Sequence, residues 1–157
     1  MYKHFLVPYD KSETATRALH QAVEFMTMSP EAKLDILYVT SIPDSEITAI
    51  YSTGMGDSDV SFIDVNDLLR RRNEAMEEEK AVVNDLIADD IAAIKDRTNL
   101  TLRSGVSTVD EIVTFADENN CDLIIMGCRG LGALRGMLGS VSYGVLRSSK
   151  VPVLIIK

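Results

Sequence analysis

The sequence predicts an α/β protein, with an open, mostly parallel five-stranded sheet and helices on both faces. Three observations carry that expectation. Short apolar runs alternate with amphipathic stretches along the chain, as in repeated strand–helix–strand units whose right-handed crossovers lay each helix on the sheet. The run Leu123-Ile124-Ile125-Met126 is apolar throughout, as a strand covered on both faces must be. It is followed at once by Gly127-Cys128-Arg129-Gly130, and then by Gly139-Ser140-Val141-Ser142 at a helix start. That is the strand-to-helix edge where doubly wound folds receive ligands.

The elements follow in order. His4 to Pro8 is a short apolar strand ended by proline. Asp10 to Thr14 offers capping side chains, with Asp10 and Ser12 the two candidates, before Ala15, Ala18, Leu19, Ala22, Val23 and Met26 recur at helical spacing. Leu34 to Val39 is the second strand, bounded by a polar turn with Pro43. From 44 to 73 the periodicity weakens around Gly54 and Gly56, and a long insertion is expected there. Glu74 to Arg97 reads as a long helix with Val82, Val83, Leu86, Ile87, Ile91 and Ile94 on one face and its acidic residues solvated. Asn99 to Arg103 is a third strand, Val109 to Glu118 a helix packed through Ile112, Val113 and Ala116, and Asp122 to Met126 a fourth strand. Val141 to Arg147 is the last helix, and the chain closes on Val151 to Ile156, a β-rich run after Pro152, the proline that terminates the helix. No internal repeat interrupts this order, and one domain over 1–157 is expected.

Composition narrows the function. The chain has 157 residues, 46% hydrophobic and 25% charged, with no apolar run approaching the roughly 18 residues of a membrane span. Its N-terminus runs directly into a strand pattern, so a soluble, cytoplasmic protein is expected. The net charge of −8 argues against nucleic acid, whose backbone is bound by Lys and Arg. A small phosphate ligand stays compatible, because salt screens charge beyond about 8 Å and local donors decide. Cys121 and Cys128 form no Cys-x-x-Cys pair, and His4 and His20 are the only imidazoles. The spacing therefore supports neither a zinc cluster nor a disulfide framework, and both cysteines are read as free thiols.

The stretch from Met126 to Ser142 has the makings of a phosphate-binding loop. Gly127, Gly130 and Gly139 let backbone N–H groups converge on an anion, and a helix N-terminus adds further donors. Ser140 and Ser142 supply hydroxyls, which serve equally as helix caps. Arg129, Arg135 and Arg147 make the last third locally basic. Tyr143 and the Arg70-Arg71-Arg72 cluster have no spacing argument for a ligand role. A Walker A run of Gly-x-x-x-x-Gly-Lys with Ser or Thr is missing from the sequence. Gly130-Leu131-Gly132 lacks the third glycine of a dinucleotide fingerprint, and two histidines do not assemble a hydrolytic triad.

Four segments together resemble the universal stress protein family, in particular its ATP-binding branch: Phe5 to Ala15, Asp122 to Gly127, Gly139 to Ser142, and Val151 to Ile156. The resemblance spans nearly the whole chain, with little from its middle. It implies a Rossmann-like sheet of the adenine nucleotide alpha hydrolase-like kind, a homodimer through the last strand, and ATP across the sheet's carboxyl edge. In that pattern Gly127, Gly130, Gly139 and Ser140 form the phosphate loop, begun by Met126, with Val141 and Ser142 beside the phosphates. Pro8, Asp10 and Val39 line the nucleoside side, and Asp10 is the candidate contact to the nucleotide or to a cation such as Mg²⁺. Two departures stand out. Eight residues, Leu131 to Leu138, separate Gly130 from Gly139 where the family has nine, and Lys11 stands where the family often has glycine. The implied function is a nucleotide-dependent regulatory switch in the stress response. The alternatives are an ATP-using phosphoryl or adenylyl transferase built around Asp10, or an interaction module that has lost nucleotide binding.

Overall fold

The computed structural model describes residues 2–42, 65–131 and 137–157. Its strands are β1 (His4–Pro8), β2 (Lys33–Ser41), β3 (Thr98–Gly105), β4 (Leu123–Gly127) and β5 (Val153–Ile156). Its helices are α1 (Glu13–Met28), α2 (Val65–Ile91), α3 (Thr108–Glu118) and α4 (Ser140–Ser148), and a 3-10 segment, Ala92–Arg97, continues α2. All strand pairs are parallel, in the order β3-β2-β1-β4-β5. The expected five-stranded parallel sheet with helices on both faces is the observed fold.

Strand periodicity divides the core. Phe5 and Val7 of β1 and Ile125 of β4 face α1 and α2, where they meet Ala18, Leu19, Ala22, Met26, Val83 and Ile87. Leu6 and Ile124, one residue out of phase, face α3 and α4 and meet Ile112, Phe115, Ala116 and Val145. The alanines of α1 keep its buried face thin, so the helix lies close over the central strands. Gly144 does the same for α4 on α3, since a Cβ there would sit 2.6 Å from Val109 Cγ2.

Helix ends are settled locally. Ser12 is the N-cap of α1, its Oγ accepting from Ala15 N at 3.2 Å. Ser107 caps α3 through Asp110 N. The last turn of α1 contains no basic residue, and Arg97 supplies the missing donors from the 3-10 segment. Its guanidinium reaches the carbonyls of Met26 at 3.2 Å, Ser29 at 3.0 Å and Ala32 at 2.8 Å.

Two expectations need correction. The helix anticipated from Glu74 begins at Val65, so residues 65–73 of the anticipated insertion are helical, and 44–64 lie outside the described residues. Val82 and Leu86 do not share the buried face; they are 48% and 55% exposed, whereas Val83, Ile87, Ile91 and Ile94 are buried. Residues 83, 87, 91 and 94 fall on one stripe of a 3.6-residue helix, and 82 and 86 lie about 100° around it.

Candidate functional site

The site is built from strand ends. At the carboxyl edge β1 and β4 are neighbours, but the chain leaves β1 toward β2 and β4 toward β5, which opens a crevice between their exits. Tyr9 N still bonds Leu37 O at 2.9 Å, which holds the β1 exit against β2. Asp10 then turns the chain: its Oδ1 accepts from Ser12 N at 3.0 Å, so Ser12 caps the helix while Asp10 shapes the turn before it. Lys11 completes the turn with φ 67°, the left-handed conformation for which glycine would be the easy residue.

The β4 exit closes onto the start of α1. A Cβ on Gly127 would stand 2.5 Å from Thr14 Oγ1, 2.7 Å from Thr14 C and 2.9 Å from Ala15 N, so only glycine permits this approach. Thr14 Oγ1 donates to Arg129 O at 2.5 Å. A Cβ on Gly130 would lie 2.6 Å from Asp10 Oδ2, which puts the Gly130 backbone directly against that carboxylate.

The start of α4 docks back on the same strand. Gly139 N donates to Cys128 O at 2.8 Å, and the buried Ser142 Oγ donates to Gly127 O at 2.8 Å. The Gly139 N-cap makes no side-chain cap bond, and Tyr143 N to Gly139 O, 2.9 Å, is the first intrahelical bond. The amides of Ser140, Val141 and Ser142 precede that bond and have no acceptor within the helix. They form the positive end of the α4 dipole.

Eight of the ten residues anticipated for the site line one cleft of about 90 Å³: Pro8, Asp10, Val39, Met126, Gly127, Gly130, Val141 and Ser142. Gly139 and the exposed Ser140 stand outside its lining, at the tip of α4. Among the described lining residues Asp10 is the one carboxylate and Arg129 the one cation. Gly132, Arg135 and Gly136 lie outside the described residues. Arg70 and Arg71 are engaged on the exposed side of α2 with Asp67, and Arg70 also with Glu74. Arg147 is in the last turn of α4, at the far end of that helix.

Sequence reasoning missed Thr108 and Ile112, which close the cleft from α3. The Ser107-Thr108 pair after β3 was the available signal, since a capped helix start at a strand exit points at the same edge. It also missed the neighbourhood of Lys11. Its Nζ pairs with Glu79 of α2 and lies 5.2 Å from the centre of the Tyr38 ring. The Glu79 carboxylate beside it holds the Lys11 ammonium above its ordinary range, and Lys11 holds Glu79 below the usual carboxylate range. Burial, with Glu79 close by, pushes the Tyr38 phenol up.

A parallel sheet in this order, with glycine-bounded exits and a helix N-terminus at its switch point, defines a doubly wound α/β protein with a crevice at its carboxyl edge. The profile of the universal stress protein family matches residues 1–157, and the chain belongs to that family. It is 32% identical over 158 residues to the universal stress protein YxiE of Bacillus subtilis, with all of both chains covered. It is 30% identical over 160 residues to the universal stress protein MJ0577 of Methanocaldococcus jannaschii, covering all of this chain and 96% of that one. The solved structure of MJ0577 superposes with a TM-score of 0.70 at 27% identity, covering 100% of this chain and 96% of the other. A universal stress protein in complex with cAMP superposes with a TM-score of 0.63 at 27% identity, covering 99% and 97%.

Proposed function

We propose that this chain binds an adenine nucleotide, ATP with Mg²⁺ in the first instance, in the cleft between the β1 and β4 exits, and acts as a nucleotide-dependent switch. The carrying observation is the meeting of that cleft with the free amides of Ser140, Val141 and Ser142, which offers an apolar slot and an anion site side by side. The slot holds about 90 Å³, below the roughly 300–1,000 Å³ of a full small-molecule site. Most of the nucleotide therefore lies outside the slot, with the edge of the base entering between Val39, Met126 and Pro8 and the ribose and phosphates running outward toward Gly130 and α4. Asp10 is the carboxylate at hand for a ribose hydroxyl or the cation. The eight-residue spacer is compatible with this reading, because Gly139 still bonds Cys128 O at 2.8 Å. The solved relative in complex with cAMP supports adenine chemistry.

The switch works by occupancy in a single-domain cytoplasmic protein. At 100 times its dissociation constant a ligand stabilises the folded state by about 2.7 kcal/mol. A homodimer through β5 gives that change a readout: β5 is a sheet edge whose four residues are only half-buried, an open ladder suited to a second copy. The test is mass spectrometry of the native protein, followed by thermal-shift titration of the stripped protein with ATP and Mg²⁺. Co-purified nucleotide or a saturable rise in melting temperature is expected; neither appearing would overturn the proposal. Sedimentation with and without ATP tests the dimer.

A further inference from the structure

At the opposite, amino edge of the sheet, three residues far apart in sequence converge. His4 opens β1, Asp35 lies in β2, and Cys121 ends the turn into β4; they are 5%, 8% and 4% exposed. His4 Nε2 is 2.5 Å from Asp35 Oδ2 and 3.7 Å from Cys121 Sγ, and the three donor atoms all lie within 4.8 Å of one another.

We propose that His4, Asp35 and Cys121 form a structural binding site for a thiophilic divalent cation, Zn²⁺ in the first instance. One imidazole nitrogen, one carboxylate oxygen and one sulfur make a mixed donor set that suits Zn²⁺, whereas Mg²⁺ and Ca²⁺ prefer oxygen alone. With ordinary zinc bond lengths a tetrahedral site needs an N···S separation of about 3.6 Å and an N···O separation of about 3.4 Å. The first matches the 3.7 Å observed. The second requires the Asp35 carboxylate to move out by about 1 Å, trading its hydrogen bond to His4 for a shared cation. The fourth position falls to a water molecule.

The surroundings are arranged as a support. Asn99 Nδ2 donates to Asp35 Oδ1 at 3.0 Å, fixing the carboxylate by the oxygen the cation does not need. Cys121 N is held by Ala116 O at 2.9 Å, and the Asp122 carboxylate takes the amides of Lys3 at 2.8 Å and His4 at 3.0 Å. Each of the three ligand-bearing segments is thus held by a hydrogen bond of its own.

Binding balances as follows. Cys121 gives up its thiol proton to solvent, and the His4 proton that bonds Asp35 in the metal-free protein passes from Nε2 to Nδ1, so that the Nε2 lone pair faces the cation. Binding therefore releases one proton, the thiol's, and strengthens as pH rises.

Cobalt(II) is the probe. Titration of metal-free full-length protein with Co²⁺ is expected to give one ion per chain, a near-ultraviolet thiolate-to-cobalt charge-transfer band that Zn²⁺ abolishes by displacing the cobalt, and a raised melting temperature that Zn²⁺ preserves. Cys121→Ser and His4→Gln should abolish the band, and Cys128→Ser should keep it. Folding of each variant is checked by circular dichroism, and Cys121→Ser, the near-isosteric change, decides if His4→Gln fails to fold. No band in folded wild-type protein, or a band that survives Cys121→Ser or disappears with Cys128→Ser, would overturn the site.

Discussion

Lys11 holds a left-handed backbone, φ 67°, and its Nζ is paired with Glu79 of α2, 68 residues further along the chain. A non-glycine residue in that region costs about 1–2 kcal/mol. The partly exposed pair returns at most about 1 kcal/mol, and the Tyr38 ring beneath the ammonium adds about 0.5 kcal/mol. Lys11→Gly should therefore be nearly neutral, within about 1 kcal/mol, because relief of strain offsets the lost contacts. Lys11→Ala keeps the strain and loses the contacts, and should be about 1 kcal/mol less stable than Lys11→Gly. Urea midpoints of the two variants measure the difference; equal midpoints would show that the turn does not depend on its left-handed residue.

The same pair sets a pH window. Glu79 is held below its ordinary 4.5 in the folded protein, so its contribution is complete above 4.5 and disappears as pH falls through the lowered value. Lys11 is raised above 10.5, so its contribution is complete below 10.5 and disappears as pH rises through the raised value. Because the two side chains are 29% and 31% exposed, the plateau is worth at most about 1 kcal/mol. Stability profiles of wild type and Glu79→Gln should be separated between these limits and converge beyond them. A constant offset at every pH would assign the effect of Glu79 to packing instead of charge.

The sheet was legible because both of its signals are local. The unbroken apolar run at Leu123–Met126 marks a strand covered twice, and the helical spacing of Ala15 to Met26 marks α1. Helix boundaries were less legible: α2 begins at Val65 in a polar stretch whose Arg70 and Asp67 pair along the helix, a stabilisation that hydrophobic periodicity cannot register. The cleft was legible where glycine signals a close approach, at Gly127 and Gly130. At Thr108 and Ile112 it was legible only in part: the Ser107-Thr108 pair marks a capped helix start at the β3 exit, but nothing in the sequence says that α3, packed on β2 and β3, reaches the cleft. The cluster of His4, Asp35 and Cys121 was invisible for a similar reason. Metal-site spacing is read over a few residues, and here 117 residues separate His4 from Cys121.

Gly127→Ala tests the close approach of β4 to α1. The new methyl would meet Thr14 C at 2.7 Å and Ala15 N at 2.9 Å, and since these are backbone atoms the helix start must move. The expected loss is about 1–3 kcal/mol, as for other overpacked sites. Gly139→Ala has its nearest contact at 3.3 Å, to Arg129 Cα, and Gly139 has φ −64°, so it should cost clearly less. Chemical denaturation ranks the two, and the reverse order would contradict the described packing.

Ser140 and Ser142 separate scaffold from ligand contact. Ser142 is buried and spends its hydroxyl on Gly127 O at 2.8 Å, so Ser142→Ala leaves that carbonyl without its donor and should cost about 1–2 kcal/mol. Ser140 is exposed at the α4 tip, and Ser140→Ala should leave stability within about 0.5 kcal/mol, as surface changes usually do. For ATP the order should invert. Ser140→Ala removes a hydroxyl that can reach a phosphate and should weaken binding by about tenfold, the equivalent of roughly 1.4 kcal/mol. Ser142→Ala keeps its amide and should weaken binding less than that, provided the protein is measured well below its melting temperature. Denaturation and ATP titration of both variants give four numbers. If Ser142→Ala alone lowers both stability and affinity, the anion is held by the geometry that Ser142 enforces, and the Ser140 hydroxyl has no part in it.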